Sequence, residues 1–137
     1  MYLEYKVEGG DFTNAGYASS QVKKNLKEIG IDSAIIKRVV ISLYEAEVNV
    51  VAHAYRGVIK INIEKSGIEM ILEDEGPGIE NVDLAMKKGF STASPEVREM
   101  GFGAGMGLPN INDNSDRFFI ETEIGTGTKL NIFISFI

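Results

Sequence analysis

Gly101-Phe102-Gly103-Ala104-Gly105-Met106-Gly107 places glycine at every second position and runs directly into Leu108-Pro109-Asn110-Ile111. Glycine lacks a Cβ, so such a chain can turn tightly and aim several backbone N–H groups at one anion. Pro109 suits the opening of a helix. A glycine loop that ends at a helix N-terminus is a favourable seat for phosphate. Taken alone, the run reads equally well as a mobile surface loop without a ligand. The rest of the chain has to decide.

The 137 residues, 44% hydrophobic and 25% charged, predict one soluble globular domain over 1–137. No apolar run is long enough to span a membrane, and Met1-Tyr2-Leu3-Glu4-Tyr5 has neither the basic start nor the apolar core of a signal peptide. The absence of cysteine excludes disulfides and thiolate metal sites and fits a cytoplasmic protein. The net charge is −6, and basic residues gather no further than adjacent pairs such as Lys23-Lys24 and Lys87-Lys88, so direct binding of nucleic acid is not expected. An acidic chain can still hold a triphosphate where N–H groups and a cation offset the charge.

Residues 2–8 alternate apolar Leu3, Tyr5 and Val7 with charged Glu4, Lys6 and Glu8, the period of a half-buried strand. Tyr17, Val22, Leu26 and Ile29 predict a helix within 12–29, stopped by Gly30. Asp32 caps a second and longest helix, with Ile35, Ile36, Val39, Val40, Leu43, Val50 and Val51 at helical spacing, fading near His53 and ended by Gly57. Residues 58–64 and 68–73 read as a hairpin. Asp74-Glu75-Gly76-Pro77-Gly78-Ile79 is a sharp stop. A short helix over 81–88 and a polar loop over 89–100 precede the glycine run. The helix after Gly107 is poor on propensity, because Asn110, Asn112, Asp113, Asn114, Ser115 and Asp116 are weak formers. Two alternating strands, 117–123 and 128–136, flank Gly125-Thr126-Gly127. The order β-α-α-β-β-α-α-β-β predicts a two-layer α/β (α+β) sandwich: a mixed, largely antiparallel sheet with helices on one face.

Four segments together resemble one family. Glu45-Ala46-Glu47-Val48-Asn49, followed by His53-Ala54-Tyr55, is similar to the N box of the GHKL (histidine kinase-like) ATPases. Residues 74–79 resemble its first glycine box, 101–111 its second, and Gly125-Thr126-Gly127-Thr128 its terminal Gly-x-Gly-Thr. The order and spacing match over nearly the whole chain, which implies the Bergerat fold. Within that superfamily the chain is most similar to the small anti-sigma-factor serine kinases. Gly89-Phe90-Ser91-Thr92 also resembles the switch-type kinases of the stressosome.

The resemblance implies ATP and Mg2+ as ligands, with Asn49 the protein's magnesium ligand; an amide oxygen suits that hard cation. Glu45, one turn earlier on the same face, would orient or deprotonate the attacking hydroxyl. Asp74 would accept a hydrogen bond from the adenine amino group, where guanine would present another acceptor. Thr128 would complete the adenine pocket. The remaining nucleotide-site candidates are His53, Gly76, Gly78, Ile79, Phe90, Ser91, Thr92, Gly101, Gly103, Ala104, Gly105, Met106, Gly107 and Leu108. His53 is the single histidine, and a packing or capping role explains it as well. Lys88 and Arg98 could reach a γ-phosphate without matching a family position, Ser94 reads as a polar lid residue, and Glu47 is left unassigned. The implied activity is γ-phosphoryl transfer to a serine of a STAS-type anti-anti-sigma partner, with a sigma factor as a second partner and a homodimer in keeping with relatives. The alternatives are a non-catalytic ATP-dependent binding module, a simple ATPase and a detached histidine-kinase-type ATPase domain.

Overall fold

The computed structural model describes residues 1–89 and 107–137. Strand β1 (Tyr2–Glu8) leads through a single 3-10 turn (Phe12–Asn14) into α1 (Tyr17–Glu28) and α2 (Ser33–His53). The hairpin β2 (Arg56–Ile63) and β3 (Gly67–Glu75) follows, then the short α3 (Val82–Ala85). Beyond the undescribed residues come α4 (Gly107–Asn114), β4 (Arg117–Glu123) and β5 (Gly127–Ser135). The strands form one sheet in the order β1-β2-β3-β5-β4, with all four pairings antiparallel. The two-layer sandwich expected from the hydrophobic pattern is what forms.

The register explains where the core sits. Tyr5, Ile59, Leu72, Leu130 and Ile120 stand opposite one another across the sheet, and so do Leu3, Ile61, Met70, Ile132 and Phe118. These two rows face the helices. Against them α2 lays Ile36, Val39, Leu43, Ala46, Val50 and Val51, all buried. Each fully buried Leu or Ile contributes about 2 kcal/mol of transfer free energy. The next row toward the strand ends is different in kind: Gly57 is opposite Asp74 and Thr122 is opposite Thr128. The sheet therefore stays apolar through its middle and becomes polar at one end.

Three elements depart from the sequence pattern. The helix expected within 12–29 is interrupted: the chain makes its 3-10 turn, passes Gly16 at φ 96°, and only then enters α1. The helix expected over 81–88 is one turn, Val82–Ala85, with the Asn81 side chain accepting from Leu84 N–H at 3.0 Å. The helix after Gly107 forms although its residues disfavour it. Leu108 and Ile111 are buried in the core against α2. At its far end Arg38 Nε donates to the Asn114 carbonyl at 3.1 Å and Arg38 Nη2 to Asp116 Oδ1 at 3.2 Å. Tertiary burial and a braced C-terminus override propensity here. Asp32 caps α2 as expected, accepting from Ala34 N–H at 3.2 Å. No helix among the described residues is long and apolar enough to cross a membrane.

Candidate functional site

The polar row ends in two turns that lock together. Asp74 Oδ1 accepts the Thr128 N–H at 3.0 Å. Gly76 N–H donates to Thr126 C=O at 3.1 Å, and Gly125 N–H donates to Pro77 C=O at 2.9 Å. A Cβ on Gly127 would collide with the Asp74 carbonyl, and one on Gly78 would lie 2.5 Å from the Glu123 carbonyl. Only glycine lets the two backbones approach this closely. The two glycine-bearing segments, 49 residues apart from Gly76 to Gly125 in sequence, thus form one rigid corner around the Asp74 carboxyl. Burial pushes the Asp74 carboxyl above its usual range, and the Thr128 N–H draws it back in part. Among the described residues Asp74 Oδ2 has no hydrogen-bond partner, so one acceptor oxygen remains for a ligand.

Thr122 completes the corner, and its sequence context did not single it out. Its hydroxyl oxygen accepts the Ile79 N–H at 2.9 Å and lies 2.9 Å from the Thr128 hydroxyl. One side chain on β4 therefore fixes the turn after Gly78 and orients Thr128. The inward phase of β4, shared with Phe118 and Ile120, was the signal available: a hydroxyl at a core-facing position needs a partner.

The face of α2 supplies the other wall. Glu45, Asn49 and His53 recur at four-residue spacing and share a stripe. The stripe is anchored at both ends. A Cβ on Gly76 would lie 3.1 Å from Ala54 Cα, so the C-terminal end abuts the Asp74 corner. A Cβ on Gly107 would lie 3.4 Å from Glu45 Oε2, so the Glu45 carboxyl lies against the start of α4. Nine residues of helix separate these anchors, roughly 13 Å of axial rise. Asn49 sits between them, partly exposed.

Glu45 is partly buried, and that burial raises its carboxyl above the usual range, while a hydrogen bond from the Asn110 side chain lowers it. Asn110, read above only as a poor helix former, is thus a contact of the candidate base. Burial also lowers the His53 imidazole, which stays neutral at pH 7 at the end of α2. Leu108 turns its side chain into the core, leaving its backbone to offer, and Ile79 packs at the core edge with its N–H already taken by Thr122. Lys88 lies 3.6 Å from Asp113 on α4, both exposed. Phe90, Ser91, Thr92, Ser94, Arg98, Gly101, Gly103, Ala104, Gly105 and Met106 lie outside the described residues.

Glu47, unassigned on sequence, is the one carboxylate of α2 that is fully buried, at 2% exposure. It turns away from the Glu45 stripe. Its Oε2 accepts Gly16 N–H at 2.8 Å and Ala18 N–H at 3.4 Å, and its Oε1 accepts Ser19 N–H at 3.3 Å. It is the N-terminal cap of α1, supplied from another helix.

Residues 11–133 match the family model described as the histidine kinase-like ATPase domain. The chain is 32% identical over 120 residues to the serine/threonine-protein kinase RsbT of Bacillus subtilis, covering 82% of this chain and 83% of that one. It is 30% identical over 122 residues to an anti-sigma F factor of Clostridium acetobutylicum, covering 85% and 82%. To the anti-sigma F factor of Clostridium kluyveri it is 37% identical over 91 residues, which span 63% of this chain and 61% of that relative.

Proposed function

We propose, from the premise that the chain belongs to the histidine kinase-like ATPase family, that it is an ATP- and Mg2+-dependent protein-serine kinase of the anti-sigma type. Its substrate is a serine of a STAS-type anti-anti-sigma partner, a sigma factor is its second partner, and it works in the cytoplasm. The observation that carries this reading is the α2 stripe. Glu45 at one end faces the start of α4, the Asp74 corner stands at the other, and Asn49 lies between them.

Bound ATP·Mg2+ would supply the activated phosphoryl group for in-line displacement. Asp74 Oδ2 accepts from an exocyclic amino group, so the corner selects adenine and turns guanine away with an acceptor facing an acceptor. Asn49 offers one amide oxygen to a hard cation. The described residues contain no group of three or more His, Asp or Glu able to hold a metal alone. A cation here is therefore shared with the ligand's oxygens. Glu45 takes the hydrogen bond, and then the proton, of the attacking hydroxyl, while Asn110 steers its carboxyl.

Incubation of the protein with γ-labelled ATP and candidate STAS proteins tests the whole reading. Label on a partner serine supports it. Phosphate release without transfer would make the protein an ATPase, and binding without turnover would make it a regulatory module.

Two substitutions test the binding wall. Asn49→Ala should remove the magnesium-dependent part of ATP affinity in calorimetry; the same affinity with and without the cation as in the parent contradicts the assignment. In Asp74→Asn the amide oxygen must still accept the Thr128 N–H, which turns its NH2 toward the base. ATP affinity should then fall by about a hundredfold while GTP gains relative to ATP. A parental ATP-to-GTP ratio would remove Asp74 from base recognition.

A further inference from the structure

Two hydroxyls close the Asp74 corner, and they can arrange their protons in two ways. Asp74 and Thr128 stand side by side on adjacent strands, one step beyond the Glu73–Lys129 pair of the β3–β5 register. The 3.0 Å bond from Thr128 N–H to Asp74 Oδ1 holds them together. A ligand group on Asp74 Oδ2 therefore brings its neighbouring atom to the Thr128 hydroxyl. Thr128 is only 7% exposed, so what its hydroxyl offers a ligand depends on the residue behind it. That residue is Thr122, opposite Thr128 in the β4–β5 register, with the two hydroxyl oxygens 2.9 Å apart and either able to donate. One lone pair of the Thr122 oxygen is taken by Ile79 N–H at 2.9 Å. The Thr122 proton has two acceptors within reach: the Thr128 oxygen at 2.9 Å and the Gly127 carbonyl at 3.3 Å.

Two arrangements follow without moving a heavy atom, because a hydroxyl hydrogen rotates to suit its neighbours. In one, Thr122 donates to Gly127 C=O, Thr128 donates to Thr122, and Thr128 turns lone pairs to the ligand. Both protons then have acceptors, so the empty corner is satisfied. In the other, Thr122 donates to Thr128, and the Thr128 proton is released to an acceptor that the ligand brings. We infer that Thr122 is a reversible relay that lets Thr128 act as donor or acceptor, so the corner leaves the choice of base to Asp74 alone. The inference rests on the ATP reading above and deepens it. Beside its amino group adenine carries the acceptor N1, whereas a 6-oxopurine carries an N1–H donor beside its carbonyl. Thr128 meets either one. A Thr128 of fixed polarity would instead impose a second selection of its own. Thr122 itself does not touch the base and is a positioning residue.

Calorimetry with ATP and inosine triphosphate tests the relay. Inosine has the 6-oxopurine edge without the 2-amino group of guanine, so the affinity ratio reports hydrogen-bond pattern and not size. Asp74→Asn should raise affinity for inosine triphosphate relative to ATP. Adding Thr122→Val takes away the acceptor for the Thr128 proton and should lower that ratio by about tenfold, the usual effect of one lost hydrogen bond. The Ile79 N–H that Thr122→Val leaves unpaired burdens both nucleotides alike and cancels in the ratio. Thr122→Ser, added to Asp74→Asn instead, keeps the hydroxyl and should restore the ratio. Circular dichroism verifies folding. If the Thr122→Val combination does not fold, Thr128→Val in the Asp74→Asn background decides: the relay predicts that both nucleotides weaken alike, by about tenfold. A ratio indifferent to Thr122→Val overturns the inference. So does Thr122→Ser behaving as Thr122→Val does, or Thr128→Val shifting the ratio toward inosine triphosphate, the mark of a fixed donor. A parent that binds neither nucleotide, or an Asp74→Asn ratio at the parental value, sinks the ATP-site reading itself and the relay with it.

Discussion

Glu45→Gln should bind ATP as tightly as the parent and transfer phosphoryl to its partner at least about a hundredfold more slowly, the usual loss when a positioned general base is removed. The substitution keeps the volume beside Gly107 and an oxygen for the Asn110 amide, so the wall of the site is undisturbed. It removes the ability to take a proton. The pH profile sharpens the test. Burial raises the Glu45 carboxyl above its ordinary value, the Asn110 hydrogen bond notwithstanding. The active form is the ionised one, so the rate should fall as pH drops through that raised value. The acid limb should thus lie above the ordinary glutamate range of about 4.3. In Asn110→Ala the lowering contact is gone and the limb should move up again. Glu45→Gln with the parental rate, or an acid limb that ignores Asn110, would leave Glu45 as a wall residue.

The strand pattern, the long helix and the glycine corners could be read from the sequence because each rests on a local rule. Alternation places Ile59, Ile61, Leu72 and Leu130 on one face whatever they pack against. Gly78 and Gly127 are required where two backbones touch. What the sequence hid is satisfied only across the fold. Thr122 looks like any polar strand residue until Ile79 and Thr128 meet it. The helix after Gly107 reads as weak because its propensity is local, whereas its stability comes from Leu108 and Ile111 against α2 and from Arg38 at its end. Glu47 could have been found. It lies four residues after Leu43 and three before Val50, within the apolar stripe, and a carboxylate at that phase has to be met by donors.

Those donors make Glu47→Ala the most destabilising single change expected outside the hydrophobic core. α1 has no cap of its own: no side-chain hydrogen bond is made by Gly16 at its N-cap position. The Glu47 carboxylate replaces it, taking N–H groups from Gly16, Ala18 and Ser19. Truncation would leave these largely buried donors unpaired at about 1 kcal/mol each, for about 3 kcal/mol in all and a fall in Tm of roughly 10 °C. Glu47→Gln keeps one acceptor oxygen and turns an NH2 toward the remaining donors, so it should lose less than Ala but still unfold earlier than the parent. Ionisation sets the pH dependence. Burial raises the folded-state pKa above the unfolded value despite the N–H bonds, so the folded state holds this proton more tightly. Glu47's contribution is then most favourable below the unfolded pKa and declines as pH rises toward the folded one. The Glu47→Ala penalty, measured by denaturant titration at several pH values, should shrink over that rise and remain positive at pH 7, because the three donors need an acceptor in either state. A neutral-pH penalty near zero would mean that water reaches the N-terminus of α1. Tyr17, the first residue of α1, would then have no fixed seat against Tyr5 at the sheet edge.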